Sequence, residues 1–238
     1  MLLQRYFDVS QSPDIAALEA NLVRFANDMD FPLITAVLVI DRPGLTSKPT
    51  FLQVGNTPEA YLQASVDRDD MSRDPVSQRL KRMSVPFVYD QNFYVSEGAG
   101  DLFEKQAQFG YRTGVCVALH LPGHKHFLLG VDREAALPKD AERLTRLMAD
   151  LQLLAVHAQS AAISLLVPTE TDATAPKLTS RELEVLRWTM EGKSAWAVGE
   201  ILGVTEHAVN FHLRNIFRKL DVSSKHSAVL KALNLGLI

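Results

Sequence analysis

Asn210 and Arg214 stand four residues apart in the stretch 204–222, VTEHAVNFHLRNIFRKLDV. Each side chain offers two hydrogen-bonding atoms in one plane, the pattern that matches the edge of a purine: asparagine for adenine, arginine for guanine. On a helix a spacing of four places them on one face, which His207, Phe211 and Arg218 share. Val209, Leu213, Ile216, Phe217 and Leu220 fall at i, i+4, i+7, i+8 and i+11 and form a continuous apolar stripe that demands burial. Any amphipathic helix has a solvated charged side. What points further is the shorter helical segment just upstream, 195–202, joined through Gly203, because that order is helix-turn-helix.

Other reactive side chains carry weaker patterns. His120, His124 and His126 cluster around the turn PGHK, but their spacing crosses a hairpin and no cysteine joins them, so no metal site is expected. The single cysteine, Cys116, lies in the apolar run TGVCVALHL and reads as a buried structural thiol; alone it rules out an internal disulfide framework. No GxSxG elbow, paired histidine-glutamate helix motif or glycine-rich phosphate loop occurs, so the chain is not expected to be an enzyme and no catalytic residue or cofactor is assigned.

The elements that must hold these residues divide the chain in two. Its 238 residues carry a formal net charge of −3, yet from Lys177 onward nine Lys and Arg stand against six Asp and Glu. A basic tail on an acidic body suits a polyanion contact made by the tail alone. Between the parts, VPTETDATAPK (167–177) loses all apolar periodicity and reads as a linker, leaving domains at 1–166 and 178–238. In the first, Ser12 and Pro13 signal a helix start; PLITAVLVI and TFLQV read as strands; 58–65 and 74–83 as short helices. DLFEKQAQFG is helical with Gly110 as its stop, TGVCVALHL and HFLLGVD are strands, and 139–166 is a long helix. This order suits a mixed sheet with helices on both faces, an α+β fold. Four short helices fill the tail, opened by a capping box at Thr179 and Glu182 and later by Ser194 and Thr205. No run is apolar for the roughly 20 residues a membrane span takes, and the N-terminus has no signal-peptide pattern, so a cytoplasmic protein is expected.

The tail from LTSRELEVL to NLGLI closely resembles the DNA-binding domain of LuxR-type transcription factors, with Glu182, Leu186, Gly192, Lys193, Val209, Asn210, His212, Leu220 and Ala228 at its pattern positions. Ala197 and Ala208 depart from it, standing where an acidic residue and a threonine are common. The resemblance implies a four-helix module whose third helix reads double-stranded DNA. Asn210 and Arg214 would face bases with Phe211 between them, joined by His207 and Arg218, and Lys193, Ser194, Thr205, His212 and Lys219 would lie nearer phosphates. It also implies a homodimer paired through the last helix on a palindromic site.

PEAYLQASVDRDDMSRDPVSQRL, VPFVYD and FEKQAQFGYRTGVCVAL resemble segments of the acyl-homoserine-lactone receptors of the same family, whose sensor is a GAF/PAS-like α/β/α sandwich. Such a signal requires an acceptor for its amide N–H, which Asp74 would supply; the pair Asp74-Pro75 also suits a plain helix cap. Tyr61 and Tyr89 stand where the family has tryptophans and Ser65 where it has a tyrosine, so the expected ligand is that lactone or a different small signal. Phe103 and Gly114 complete the implied site. The competing expectation is a ligand-independent regulator, or an anti-activator that dimerises with another receptor of the type.

Overall fold

A computed structural model describes residues 3–41, 49–64, 68–167 and 177–238. The chain forms two compact units, Met1–Pro168 and Thr169–Ile238. Most of the expected linker, 168–176, and the candidate Ser65 lie outside the described residues.

In chain order the first unit contains α1 (Leu3–Ser10), α2 (Ile15–Asp28), β1 (Leu33–Ile40), β2 (Thr50–Gly55), α3 (Glu59–Ala64), α4 (Arg68–Arg73), α5 (Pro75–Leu80), β3 (Phe87–Tyr89), α6 (Gln91–Ser96), α7 (Gly100–Ala107), β4 (Thr113–Leu121), β5 (Lys125–Arg133) and α8 (Ala141–Leu166). The strands form one sheet in the order β2-β1-β5-β4-β3, every neighbour antiparallel. This corrects the expectation of a mixed sheet. The tight turn after Leu121 makes β4 and β5 an antiparallel hairpin, and β1 and β3 dock on its two edges in the opposite sense.

Alternation along the strands makes two cores. Ile34, Ala36, Leu38, Val115, Val117, Phe127, Leu129 and Val131 point one way and pack with Leu18, Leu22 and Phe25 of α2 and with Leu151, Leu154, Ala155 and Ala158 of α8. Cys116, Ala118 and Tyr89 point the other way and meet Val76 of α5, Tyr94 of α6 and Leu102 and Phe103 of α7. The expected helical layers on both faces of a sheet are therefore present. Helix starts shift by small, local chemistry: Asp14, not Ser12, caps α2 by accepting the Ala17 N–H, while the Ser12 hydroxyl turns back to the Val9 carbonyl. Asp140 caps α8 in the same way.

The second unit is all helical: α9 (Ser180–Met190), α10 (Ala195–Leu202), α11 (Glu206–Leu220) and α12 (Lys225–Asn234). Thr179 and Glu182 form the full capping box, and Ser194, Thr205 and Ser224 each cap the helix that follows. Gly203 ends α10 at φ 66°, a left-handed conformation that glycine adopts without steric cost and that turns the chain directly into α11. Val185, Leu186, Val198, Val209, Ile216, Ala228 and Ala232 form the core, none more than 1% exposed. Each fully buried aliphatic side chain contributes about 1.5–3 kcal/mol.

Candidate functional site

On α11 the helical period sorts the side chains. Val209, Leu213, Ile216 and Leu220 are buried, whereas His207, Phe211, Arg214 and Arg218 are exposed and Asn210 and His212 half-buried. Phe211 is 52% exposed, a large ring left in water beside His212. Asn210 and Arg214 form no side-chain hydrogen bond among the described residues, so their planar groups are free; Arg218 holds Asn215. Lys193 and Ser194 are exposed ahead of α10, and Thr205 ahead of α11, where first-turn N–H groups and the helix dipole favour an anion.

Lys219 is placed differently from its neighbours. Its ammonium lies 2.6 Å from Oε2 of Glu182, a carboxylate only 3% exposed that also accepts the Thr179 N–H. Burial pushes that carboxyl up, and the Lys219 and Thr179 bonds outweigh it and hold it below its ordinary range. The charge of Lys219 is thus spent joining α11 to α9.

In the first unit the candidate residues meet on the sheet face covered by α5, α6 and α7. Asp74 caps α5, accepting the N–H groups of Val76 and Ser77, and also accepts the Tyr94 hydroxyl at 2.8 Å. The Tyr94 hydroxyl lies 3.1 Å from Oε1 of Gln106 on α7, and burial followed by the Asp74 charge raises its pKa. Tyr61, on α3, stacks on Tyr111 with ring centroids 4.3 Å apart. Its own pKa is raised by burial, then by Tyr111, Asp74 and Asp132. Tyr111 in turn sits beside the Thr35 and Thr57 hydroxyls, which are 2.7 Å from each other. Phe103 is buried, its ring 5.9 Å from that of Tyr94.

Tyr89, Gly114 and Asp132 form one row across β3, β4 and β5. The Tyr89 hydroxyl donates to Oδ1 of Asp132, passing over Gly114. A Cβ on Gly114 would lie 2.4 Å from Cζ of Tyr89 and 2.6 Å from Oδ1 of Asp132, so only glycine fits. Asp132 is 2% exposed, and burial pushes its carboxyl up to about 7, with the Tyr89 bond pulling the other way. Burial, with Asp132 and Asp74 nearby, also keeps the Cys116 thiol well above its ordinary pKa, so it stays protonated.

Sequence reasoning named Tyr61, Asp74, Tyr89, Phe103 and Gly114 here and missed Asp132, Tyr94, Tyr111 and Gln106. Asp132 had a signal: in HFLLGVD it is in phase with Leu128 and Gly130, on a face that the neighbouring strands fill with apolar residues. An open groove of about 760 Å³ runs along α2, and none of the candidate residues lines it.

Away from both places, His120 and His126 are direct partners across β4 and β5, their Nδ1 atoms 2.8 Å apart. Burial and then the His120 ring lower the pKa of His126. Asp41, whose N–H donates to the His124 carbonyl, is an acidic neighbour that the sequence alone did not bring there. Among the described residues no group of three His, Cys, Asp or Glu side chains is arranged to hold a metal ion, and no helix is long and apolar enough to cross a membrane.

Comparison with known proteins gives one pattern for both units. Residues 14–162 match the family model of the autoinducer binding domain, and residues 176–232 that of the bacterial regulatory proteins of the luxR family. The quorum sensing-dependent transcriptional regulator RpaR of Rhodopseudomonas palustris is 31% identical over 196 residues, covering 80% of this chain and 76% of that protein. The transcriptional activator AhyR of Aeromonas hydrophila is 26% identical over 242 residues, 99% of this chain and 90% of its own. Among solved structures, Escherichia coli SdiA shares the fold with a TM-score of 0.76 at 24% identity, over 99% of this chain and 96% of that one. SdiA in complex with octanoyl-rac-glycerol gives 0.74 at 23% identity, over 98% and 93%.

Proposed function

The chain belongs to the LuxR family of bacterial regulatory proteins and is a DNA-binding transcriptional regulator of the quorum-sensing type; on that premise we propose which residues read DNA and which receive the signal. Asn210 and Arg214 contact base edges in the major groove, with His207, Phe211 and Arg218 beside them. Lys193, Ser194, Thr205 and His212 hold phosphates at the helix starts. The observation that supports this most is the freedom of Asn210 and Arg214 on a helix whose opposite face is fully buried. Lys219 contributes by fixing α11 on α9 through Glu182 rather than by touching DNA. The protein acts in the cytoplasm by binding, not catalysis. It acts as a homodimer on a palindromic site, pairing through α12, where Leu230 and Leu233 are 48% and 45% exposed.

The signal enters the first unit between α3, α5 and the sheet, against Tyr61, Asp74, Tyr89, Phe103 and Gly114. The test of the DNA assignment is selection of a binding sequence from a random pool, followed by a salt-dependent gel shift on it. The expected result is a symmetric site whose affinity falls steeply with salt and whose sequence preference is lost in Asn210→Ala and Arg214→Ala. Retention of full preference in both variants would remove them from the reading role.

A further inference from the structure

Asp132 is a buried carboxyl that the family resemblance did not single out, and it lies in one row across the sheet with Tyr89 and Gly114, two of the candidate signal residues. Its Oδ1 takes the Tyr89 hydroxyl. Its Oδ2 accepts no hydrogen bond among the described residues, although the residue is only 2% exposed. The sheet around it is bare: Gly114 and Gly130 share its face, and a Cβ on Gly130 would sit 3.9 Å from Oδ2. On α7, Nε2 of Gln106 is buried and also unpartnered, while Oε1 of the same side chain meets Tyr94. Asp74 is more fully committed, to two backbone N–H groups and the Tyr94 hydroxyl.

Above about pH 7, where the Asp132 carboxyl is ionised, a buried acceptor with a free oxygen calls for a donor. A ligand carbonyl set against it would put lone pair against lone pair and leave both groups without a bond, which costs more than a missing contact in water. We propose that Asp132 is the specificity-determining residue of the signal site, selecting a signal that turns an N–H or O–H group toward Oδ2 beside Tyr89 and rejecting one that turns a bare carbonyl there. This rests on the reading of the first unit as the place where the signal binds. Tyr89 is the positioning residue: its bond holds Oδ1 over Gly114 and leaves Oδ2 over Gly130, and the two glycines are the space that lets it do so.

A matched pair of probes separates the two. N-octanoyl-homoserine lactone carries an amide carbonyl; 2-(octylamino)-γ-butyrolactone has the same lactone and chain with that carbonyl reduced to methylene, leaving an amine N–H donor. Equilibrium dialysis and thermal shift are measured at pH 8 on the full chain, on Asp132→Ser, which substitutes a hydroxyl donor, and on Asp132→Asn, which keeps the acceptor for Tyr89. The full chain is expected to bind the amine at least about tenfold more tightly than the amide. Asp132→Ser is expected to reverse the order, and Asp132→Asn, with both donor and acceptor, to bring the two within about threefold. A full chain that prefers the amide, or variants that keep the native preference, overturns the role of Asp132 while leaving a signal site in place. Binding of neither probe to any of the three proteins overturns the reading of this site as one for a lactone signal, and the proposal with it.

Discussion

The two functional regions treat polar side chains in opposite ways. On α11 the apolar residues turn inward, Arg214 and Arg218 are exposed and Asn210 half-buried, and the side chains of Asn210 and Arg214 keep bonding capacity to spare among the described residues. In the first unit the polar groups themselves are buried: Asp132 under Tyr89, Tyr94 between Asp74 and Gln106, Tyr61 stacked on Tyr111. An outward polar face costs little to maintain and its residues are nearly independent. An inward one is a network in which each group needs its neighbour, because an unpaired buried polar atom is expensive. Substitutions should therefore damage folding in one region and recognition alone in the other.

The largest effect is expected at Gly114. Gly114→Val must displace Tyr89 from Asp132 and overpack the sheet face, at a combined cost of about 3–5 kcal/mol, seen as a lowered unfolding transition of the first unit. A transition unchanged to within a degree would mean that the row across the sheet is not tightly coupled.

Next comes the pH dependence of Asp132. Its folded carboxyl titrates at about 7, above the usual carboxylate value, so the folded state holds the proton more tightly than the unfolded one. The stability this confers is complete below about pH 4 and is lost as pH rises toward and through 7. Burial sets this value, and the hydrogen bond from the Tyr89 hydroxyl opposes it. Asp132→Asn removes the titration, so its advantage over the native chain in denaturant unfolding should grow by up to about 4 kcal/mol between pH 4 and 8. An unchanging difference would show that the carboxyl is ionised throughout.

On the outward face the effects are smaller and confined to binding. Arg214→Ala should cost about 1–3 kcal/mol on the selected site and flatten preference at one base position, with both unfolding transitions unmoved. Smallest is Lys193→Ala, which should weaken all sequences alike and lower the slope of log affinity against log salt by about one. A loss of folding in either variant would erase the contrast between the regions.

Legibility in the sequence follows the same divide. Helices α10 and α11 were readable to their ends because the period, the caps at Ser194 and Thr205 and the glycine at 203 between them are all local. Strands β4 and β5 were readable from their runs, whereas β3, α4 and α6, of three to six residues, are too short to show a period. Lys219 belongs by position to a basic face, and only the return of α9 beneath α11 brings Glu182 to it.

By itself, then, the chain's order of residues determined which helix presents Asn210 and Arg214, since a side chain's face on a helix depends on neighbours within a turn or two. What tertiary structure alone decided is the buried polar cluster of the first unit. Tyr89 and Asp132 lie 43 residues apart and meet only because antiparallel register puts both opposite Gly114. Strand register is set by the packing of whole faces, and no short window of sequence contains it.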